Sequence, residues 1–414
     1  MNSSYRDARN SSLQRIDGMK GGGRAGKLPD RMRKIILHRA GAAPTGAAGT
    51  DRSFAGTTIK LGLDIHQACY VVAAQEDQAT PKPARRLAPA EFVPWVETLL
   101  ARGHRVFVVY EACGFGFGLC RRLMALGAVC YVIAPRKLDE ARKGVKTDAL
   151  DAGVLCQRLS RYVEGNAREL AVIRVPSKEE EQLRHLHRQR EALVRARTKL
   201  QAQGRGLLVT HGQPAPARWW RRAGWNALER LLPAWLLARL EVFRPVLAVL
   251  DTQIAALSAE IEAAASPGLP AGLGKLTQVV VSREVCDWHR FQNRRQVSSY
   301  TGLCPGEYSS GGQRTPGAVT KHGNPRLRAA LVELAWRMVR FQPQYPPVAK
   351  RLGVLGKGAR ATGAARKKAI VAVARQLAVD LWRWQTGQCT AEKLGLQPSP
   401  PSSPHPLPAP QPTN

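Results

Sequence analysis

The chain has 414 residues, enough for two or three domains with cores of their own, and carries 63 Lys and Arg against 31 Asp and Glu, a formal net charge of +32. That excess is spread along the length, which is the electrostatic footprint of a nucleic-acid partner. The absence of a long uninterrupted apolar run and of an apolar signal-peptide core argues against a membrane span and for a cytoplasmic protein, while eight scattered Cys without a Cys-x-x-Cys pair read as reduced thiols rather than a zinc site or a disulfide framework.

Residues 1–56, rich in Gly, Ser, Ala and Arg, read as a disordered basic leader or as an upstream extension from a misassigned start. Strand-like runs follow at 59–65, 69–75, 105–110 and 129–134, with helix-like stretches at 91–102 and 117–126, each followed by a glycine stop. A short hairpin, then alternating helix and strand, then a helix carrying Asp148 and Asp151, is the order of an α/β RNase H-like (RuvC-like) domain, assigned to 57–165. Residues 166–265 predict a helical or coiled-coil spacer, with a simple bundle core as the alternative. Ser177 and Glu180 make a capping box, Leu183, Leu186, Leu193 and Leu200 fall near one face, and Pro214, Pro216, Pro233 and Pro245 divide the helices. Residues 266–395 form a mainly α C-terminal unit. It opens on a glycine-rich turn, Pro267 to Gly274, like that of a helix-hairpin-helix, and Asn324-Pro325 starts a helix as cap and first residue. The Pro-rich segment 396–414 reads as a disordered tail.

Four carboxylates are the candidates for the chemistry, although taken singly each, Asp64 excepted, is more often a solvated surface residue or a cap. Asp64 sits within the apolar run 59–65, Glu111 closes the run 106–110, and Asp148 and Asp151 lie a turn apart on one helical face. An acid amid Ile and Leu needs a reason to be there, and hard divalent ions take oxygen ligands. Gathered in so basic a chain, the four suit Mg2+-assisted displacement at a phosphate. Tyr308-Ser-Ser-Gly-Gly312 reads as a small flexible loop followed by basic residues, ordinary loop chemistry by its composition alone. Lys321, Asn324, Arg326 and Arg328, together with Lys146, are candidates for gripping a nucleic-acid backbone, or a solvated basic face. Trp219, Trp220 and Trp225 lie beside arginines and could stack on bases, although such clusters more often pack a helical core. None of the histidines has a trusted metal-ligand spacing; His66, two residues after Asp64, would share that residue's face of a strand, which leaves it open to a supporting role there.

Taken in order, Leu63-Asp-Ile-His66, Tyr110-Glu-Ala-Cys-Gly-Phe-Gly116, Val132-Ile-Ala-Pro135 and Lys146-Thr-Asp-Ala-Leu-Asp-Ala152 resemble the DEDD transposases of the insertion-sequence 110/1111 family. The likeness continues through Val175-Pro-Ser177, Arg290–Gln296, Tyr300–Pro305, Glu307–Gly311 and Thr320–Asn324, over roughly residues 57–345. The resemblance implies a transposase whose four acids hold Mg2+ and whose serine before glycine, Ser310, is the nucleophile, with Ser309 as the near neighbour. It also implies donor and target DNA as substrates, a non-coding guide RNA from the element, a homo-oligomer, and a place at the bacterial nucleoid. Two departures stand out: Thr277 and Gln278 occupy the region where the family has an Ala, and Val285-Cys-Asp287 replaces a Gly-Asp turn. A water-using, metal-dependent nuclease of the Holliday-junction type would need the acids but not Ser310, and a non-catalytic nucleic-acid-binding protein would need neither.

Overall fold

The structure, a computed structural model, describes residues 56–135, 147–310 and 313–398. The leader over 1–55 therefore lies outside the described residues. Five strands form one sheet in the order β3–β2–β1–β4–β5: β1 (Thr58–Ile65), β2 (Tyr70–Glu76), β3 (Arg85–Leu87), β4 (Arg105–Glu111) and β5 (Val129–Ile133). The pairs β1–β2 and β2–β3 are antiparallel, while β1–β4 and β4–β5 are parallel. Parallel neighbours need crossovers, and α1 (Pro89–Ala101) and α2 (Gly118–Ala125) lie in the connections into β4 and β5.

Alternation sorts the two faces of this sheet. Ile59, Leu61 and Leu63, with Val106, Val108 and Tyr110, pack against Phe92 and Val96 of α1 and Cys120 and Leu123 of α2. Lys60, Gly62 and Asp64 turn the other way, towards α3 (Asp148–Val163). On that side Val71 and Ala73 pack with Ala152 and Cys156, and Phe107 and Val109 with Leu155 and Leu159. Gly62 is there because a Cβ would collide with the backbone of Ala152 and Cys156. Buried Lys60 donates from Nζ to Ser160 Oγ at 2.8 Å and to Glu164 Oε1 at 3.0 Å. The strand therefore fixes both the approach and the register of α3.

The rest of the chain is helical apart from one hairpin. Its elements are α4 (Lys178–Thr210), α5 (Arg222–Glu229), α6 (Ala234–Glu241), α7 (Arg244–Glu262), α8 (Lys275–Val285), α9 (Arg294–Thr301), β6 (Pro305–Ser310), β7 (Gln313–Val319), α10 (Pro325–Phe341), α11 (Pro346–Ala349), α12 (Leu352–Leu355) and α13 (Gly363–Gln385). The capping box forms at the start of α4: Glu180 N donates to Ser177 Oγ at 3.1 Å and Ser177 N to Glu180 Oε2 at 2.9 Å. Helices α4 and α7 pair antiparallel, since Arg190 bonds Ser258 and Arg197 bonds Asp251. The leucine face expected on α4 is not its seam. Leu183 is exposed and Leu186, Leu193 and Leu200 are only half-buried, whereas His187, Gly204 and Leu208 are buried. Gly204 lies directly against the Trp219 ring, and His187 is held by a carboxylate, so shape and polarity select the buried positions.

Trp219, Trp220 and Trp225 are core residues, packed with Leu228, Leu236 and Leu247. The stretch Ala234–Glu262 is long and apolar enough to cross a membrane by length and composition, but it is charged at Arg239, Glu241, Arg244, Asp251, Glu260 and Glu262, and Leu236, Leu240, Leu247, Ile254 and Ile261 are buried in the protein. Asp251 is bonded to Arg197, Arg221 and Trp220, which places that face against protein. The start of the expected tail is ordered: Leu396 is buried, Gln397 N donates to Gln342 Oε1 at 2.9 Å, and Ala271 N donates to Gln397 O at 2.8 Å. Those main-chain bonds hold 396–398 in place, and residues 399–414 lie outside the described residues.

The first turns of α4 are a junction. Arg121 of α2 pairs with Glu181 at 2.7 Å and donates to Pro176 O at 2.7 Å. One turn further, Arg184 Nε donates to Arg283 O at 3.0 Å, at the end of α8. The sheet domain and the C-terminal helices thus grip the same helix within about 10 Å of its length.

Candidate catalytic centres

Asp64 is the penultimate residue of β1, and Glu111 ends the neighbouring parallel strand β4, whose Tyr110 pairs with Leu63. Both therefore lie at the carboxyl ends of adjacent parallel strands and on the face covered by α3. Thr147 caps α3, its Oγ1 accepting from Leu150 N at 3.4 Å, and Asp148 and Asp151 occupy the first turn. A helix N-terminus favours carboxylates there through its unsatisfied N–H groups. Asp64, His66 and Asp148 are the residues whose ligand atoms converge, all within 4.8 Å of one another among the described residues. His66 Nε2 lies 3.3 Å from Asp64 Oδ2 and 3.5 Å from Asp148 Oδ2, and Arg86 Nη2 is 4.0 Å from the latter. Glu111 and Asp151 are half-buried at the same end of the sheet and stand outside that group of three.

Donors surrounding one small divalent ion at about 2.1 Å stand roughly 3.0–4.2 Å apart. The His66 spacings fall in that interval, and the two carboxylates supply the charge, so this donor set fits a divalent metal. His66 is the member that strand geometry did not supply. β1 ends at Ile65, and His66 begins the turn into β2, with its N–H bonded to Cys69 O at 3.0 Å. The turn, rather than strand alternation, brings the imidazole back to Asp64. The two carboxylates suit Mg2+ or Mn2+, whereas an imidazole ligand suits a transition metal better than Mg2+.

The serines belong to a β-hairpin rather than the loop expected from their composition. Ser309 pairs with Arg314 and Ser310 with Gln313 across β6 and β7; Gly311 and Gly312 lie outside the described residues. The base of the hairpin is stapled by main-chain bonds: Thr320 N donates to Cys304 O at 2.9 Å, Lys321 N to Gly302 O at 3.2 Å and Asn324 N to Tyr300 O at 2.9 Å. Gly302, at φ 67, takes a left-handed conformation open to glycine, and Lys321 takes one at φ 55.

Of the basic candidates, Lys321 is exposed, and Lys146 lies outside the described residues. Asn324 is structural: Oδ1 accepts from Arg326 N at 3.0 Å and Leu327 N at 3.1 Å, and Nδ2 donates to Glu284 Oε2 at 2.7 Å. Arg326 is paired with Glu191 at 2.7 Å, and Arg328 Nη1 donates to Lys321 O at 3.1 Å. These three side chains build the loop before they reach any ligand.

Glu284, wholly buried at the end of α8, was not singled out from the sequence. It accepts from His187 Nε2 at 2.7 Å, from Asn324 Nδ2, and from Arg188 at 3.3 Å, while its own carbonyl accepts from Tyr300 Oη at 2.8 Å. Burial pushes its carboxyl up, but the bonds from His187, Asn324 and Arg188 outweigh that and hold it well below the usual carboxylate range. Both sides of the hairpin base, through Tyr300 and Asn324, are thereby fixed to one residue and through it to α4.

Residues 61–212 match the IS110-type DEDD transposase family, and residues 270–348 match the Transposase IS116/IS110/IS902 family. The chain is 34% identical to a protein of Sinorhizobium fredii that carries the transposase name y4rJ, over 71% of this chain and 81% of that one. It is 28% identical to the transposase for insertion sequence element IS1111A of Coxiella burnetii, over 68% and 78% of the two chains. It is 24% identical to the transposase for insertion sequence element IS1328 of Yersinia enterocolitica, over 66% and 82%. The first match also accounts for the five-stranded mixed sheet, because a DEDD domain has an RNase H-like α/β fold. The chain belongs to the IS110/IS1111 family of DEDD transposases, enzymes that act on DNA in insertion-sequence mobility.

Proposed function

We propose that this transposase cuts and rejoins DNA with two centres: a Mg2+ site at the ends of β1, β4 and α3, and Ser310 on the β6–β7 hairpin. The reading rests on the convergence of Asp64, His66 and Asp148 on one point beside Glu111 and Asp151. Bound there, Mg2+ would supply charge stabilisation at a scissile phosphate and at the oxygen departing from it. Asp64, His66 and Asp148 would hold the ion, and Glu111 and Asp151 would supply further oxygen ligands. The Ser310 hydroxyl attacks phosphorus, a phosphoserine ester forms as one P–O bond of the strand breaks, and the departing sugar oxygen takes up a proton. The ester conserves the bond energy for rejoining. Lys321 and Arg328 steady the backbone next to the hairpin, with Lys146, Asn324 and Arg326 in support.

By the same reading the enzyme works as a homo-oligomer at the nucleoid, and an element-encoded RNA pairs with donor and target DNA. Delegating sequence to base pairing leaves the protein mainly backbone contacts, in keeping with its diffuse charge. The chain would be divided into the RuvC-like domain at 57–165, the spacer at 166–265 and the serine-bearing unit at 266–395.

Strand cleavage tests this. Purified protein, the flanking RNA and labelled donor-end DNA are incubated with Mg2+ or with chelator, for wild type, Asp148→Ala and Ser310→Ala. The proposal predicts cleavage only with the ion and loss of cleavage in both variants. Cleavage that survives Ser310→Ala but not Asp148→Ala would establish the water-using nuclease instead.

A further inference from the structure

The C-terminal helical core carries a face of one charge sign. Across the whole chain bases outnumber acids 63 to 31, yet from Leu334 to Val379 there are ten Lys and Arg and no Asp or Glu. Lys350, Lys357, Arg360, Lys367 and Lys368 are exposed. They lie within nineteen residues of one another, at or between three helices, α11, α12 and the start of α13, that pack together. Lys350 follows α11, Lys357 and Arg360 lie in the loop from α12 to α13, and Lys367 and Lys368 are in the first turns of α13. Leu355 of α12 and Ile370 of α13 are buried in the same core, which folds that loop back on α13.

Two neighbouring arginines are consumed in shaping the loop. Arg351 Nη1 donates to Pro347 O at 2.8 Å, and Arg366 Nη2 donates to Ala359 O at 2.7 Å. The five exposed cations therefore sit on a fixed surface, and among the described residues none of them pairs with a carboxylate. Gly353 and Gly363 add a second observation. Neither has a positive φ, and a Cβ at either would meet open space, so neither conformation nor packing asks for glycine. Glycine at such positions leaves the backbone open to close approach from outside. Clustered like charges with no internal partner raise one another's potential, and a polyanion relieves this by releasing its own counter-ions.

We propose that Lys350, Lys357, Arg360, Lys367 and Lys368 form a second nucleic-acid surface, which binds the phosphodiester backbone of duplex DNA without reading its sequence. The surface lies beyond residue 348, where the family match ends, and does not depend on Ser310 being the nucleophile.

The test is the salt dependence of binding by the full chain to a random-sequence DNA duplex and to an RNA duplex. Each phosphate contact contributes about 0.9 to the slope of log affinity against log salt. If three of the five side chains reach phosphates, changing all five to Gln lowers the DNA slope by about 2.7 and the affinity at 0.15 M salt by about 170-fold, taking 1 M as reference. A control removes the same charge elsewhere, by changing exposed Lys199, Arg205, Arg222, Arg230 and Arg239 to Gln. The proposal requires the variant with all five of these cations changed to lose clearly more slope than the control while keeping the wild-type melting temperature. An unchanged slope, an equal loss in the control, or a loss confined to the RNA duplex overturns it.

Discussion

Replacing Glu284 tests how the serine hairpin is held. The carboxylate is fully buried and takes hydrogen bonds from His187, Asn324 and Arg188. Arg188 is a third exposed and its bonds are 3.3 Å long, so it can turn to water at little cost. His187 is buried, and Asn324 is held in place as a cap. Counting those two bonds at about 1.5–3 kcal/mol each, Glu284→Ala costs about 3–6 kcal/mol, in line with the loss of one partner from a buried ion pair. Glu284→Gln keeps the shape but must present an amide N–H to one of two donors, so it loses somewhat less. Denaturant titration of wild type and both variants at pH 7 measures this directly.

A pH series adds a sign. Because the folded carboxyl titrates well below its ordinary value of 4.5, its stabilisation is complete above that pH and is lost as pH falls towards the folded value. The wild type should therefore lose stability below about pH 4.5 more steeply than Glu284→Gln. A loss under about 1 kcal/mol in Glu284→Ala, or parallel pH curves, would refute the idea that this residue clamps the hairpin base.

Three further substitutions separate structural from ligand-binding roles. Gly62→Ala drives a methyl into the backbone of α3, so it should destabilise the sheet domain by about 2 kcal/mol or more and abolish stabilisation by Mn2+ in thermal melts. Cys286 has φ 64 and ψ -64, and Asp287 N donates to Val285 O at 2.9 Å, a strained γ-turn where the family has Gly-Asp. Cys286→Gly should gain up to about 1 kcal/mol in denaturant midpoint, less what the Arg184–Sγ contact contributes. Asn324→Ala should cost about 3–5 kcal/mol of stability, through the lost cap together with the lost bond to buried Glu284, while leaving the salt slope of DNA binding unchanged.

Much of this architecture is legible in the sequence where one physical signal dominates. The apolar runs of β1, β2, β4 and β5 mark strands, and Ser177 and Glu180 announce the start of α4. Placing Asp64 and Glu111 at strand ends and Asp148 and Asp151 on the first turn of α3 needed only those boundaries. What was missed depends on tertiary context. β3 is three residues, two of them arginine, and is strand only because β2 offers an edge. The β6–β7 hairpin contains Pro305, Gly306 and three serine or threonine residues, so propensity reads loop; the two-residue Gly-Gly spacing was its signal. His66 is found beside Asp64 as its spacing allows, but it gets there through a turn rather than along a strand, which strand periodicity cannot express. Glu284 looks like any acid on a charged helix, and only its three partners, distant in sequence, make it a buried clamp.

The central claim is that a serine on the hairpin and the strand-end acids act on one phosphodiester. The most direct measurement is to trap the reaction on labelled donor DNA with Mg2+ and the flanking RNA, denature it, and map any DNA-linked peptide by mass spectrometry. The account predicts a phosphoserine link within Tyr308–Gln313 at Ser310, absent from Ser310→Ala and from Asp64→Asn. Cleaved DNA with no protein attached, or an adduct that persists in Asp64→Asn, would contradict it.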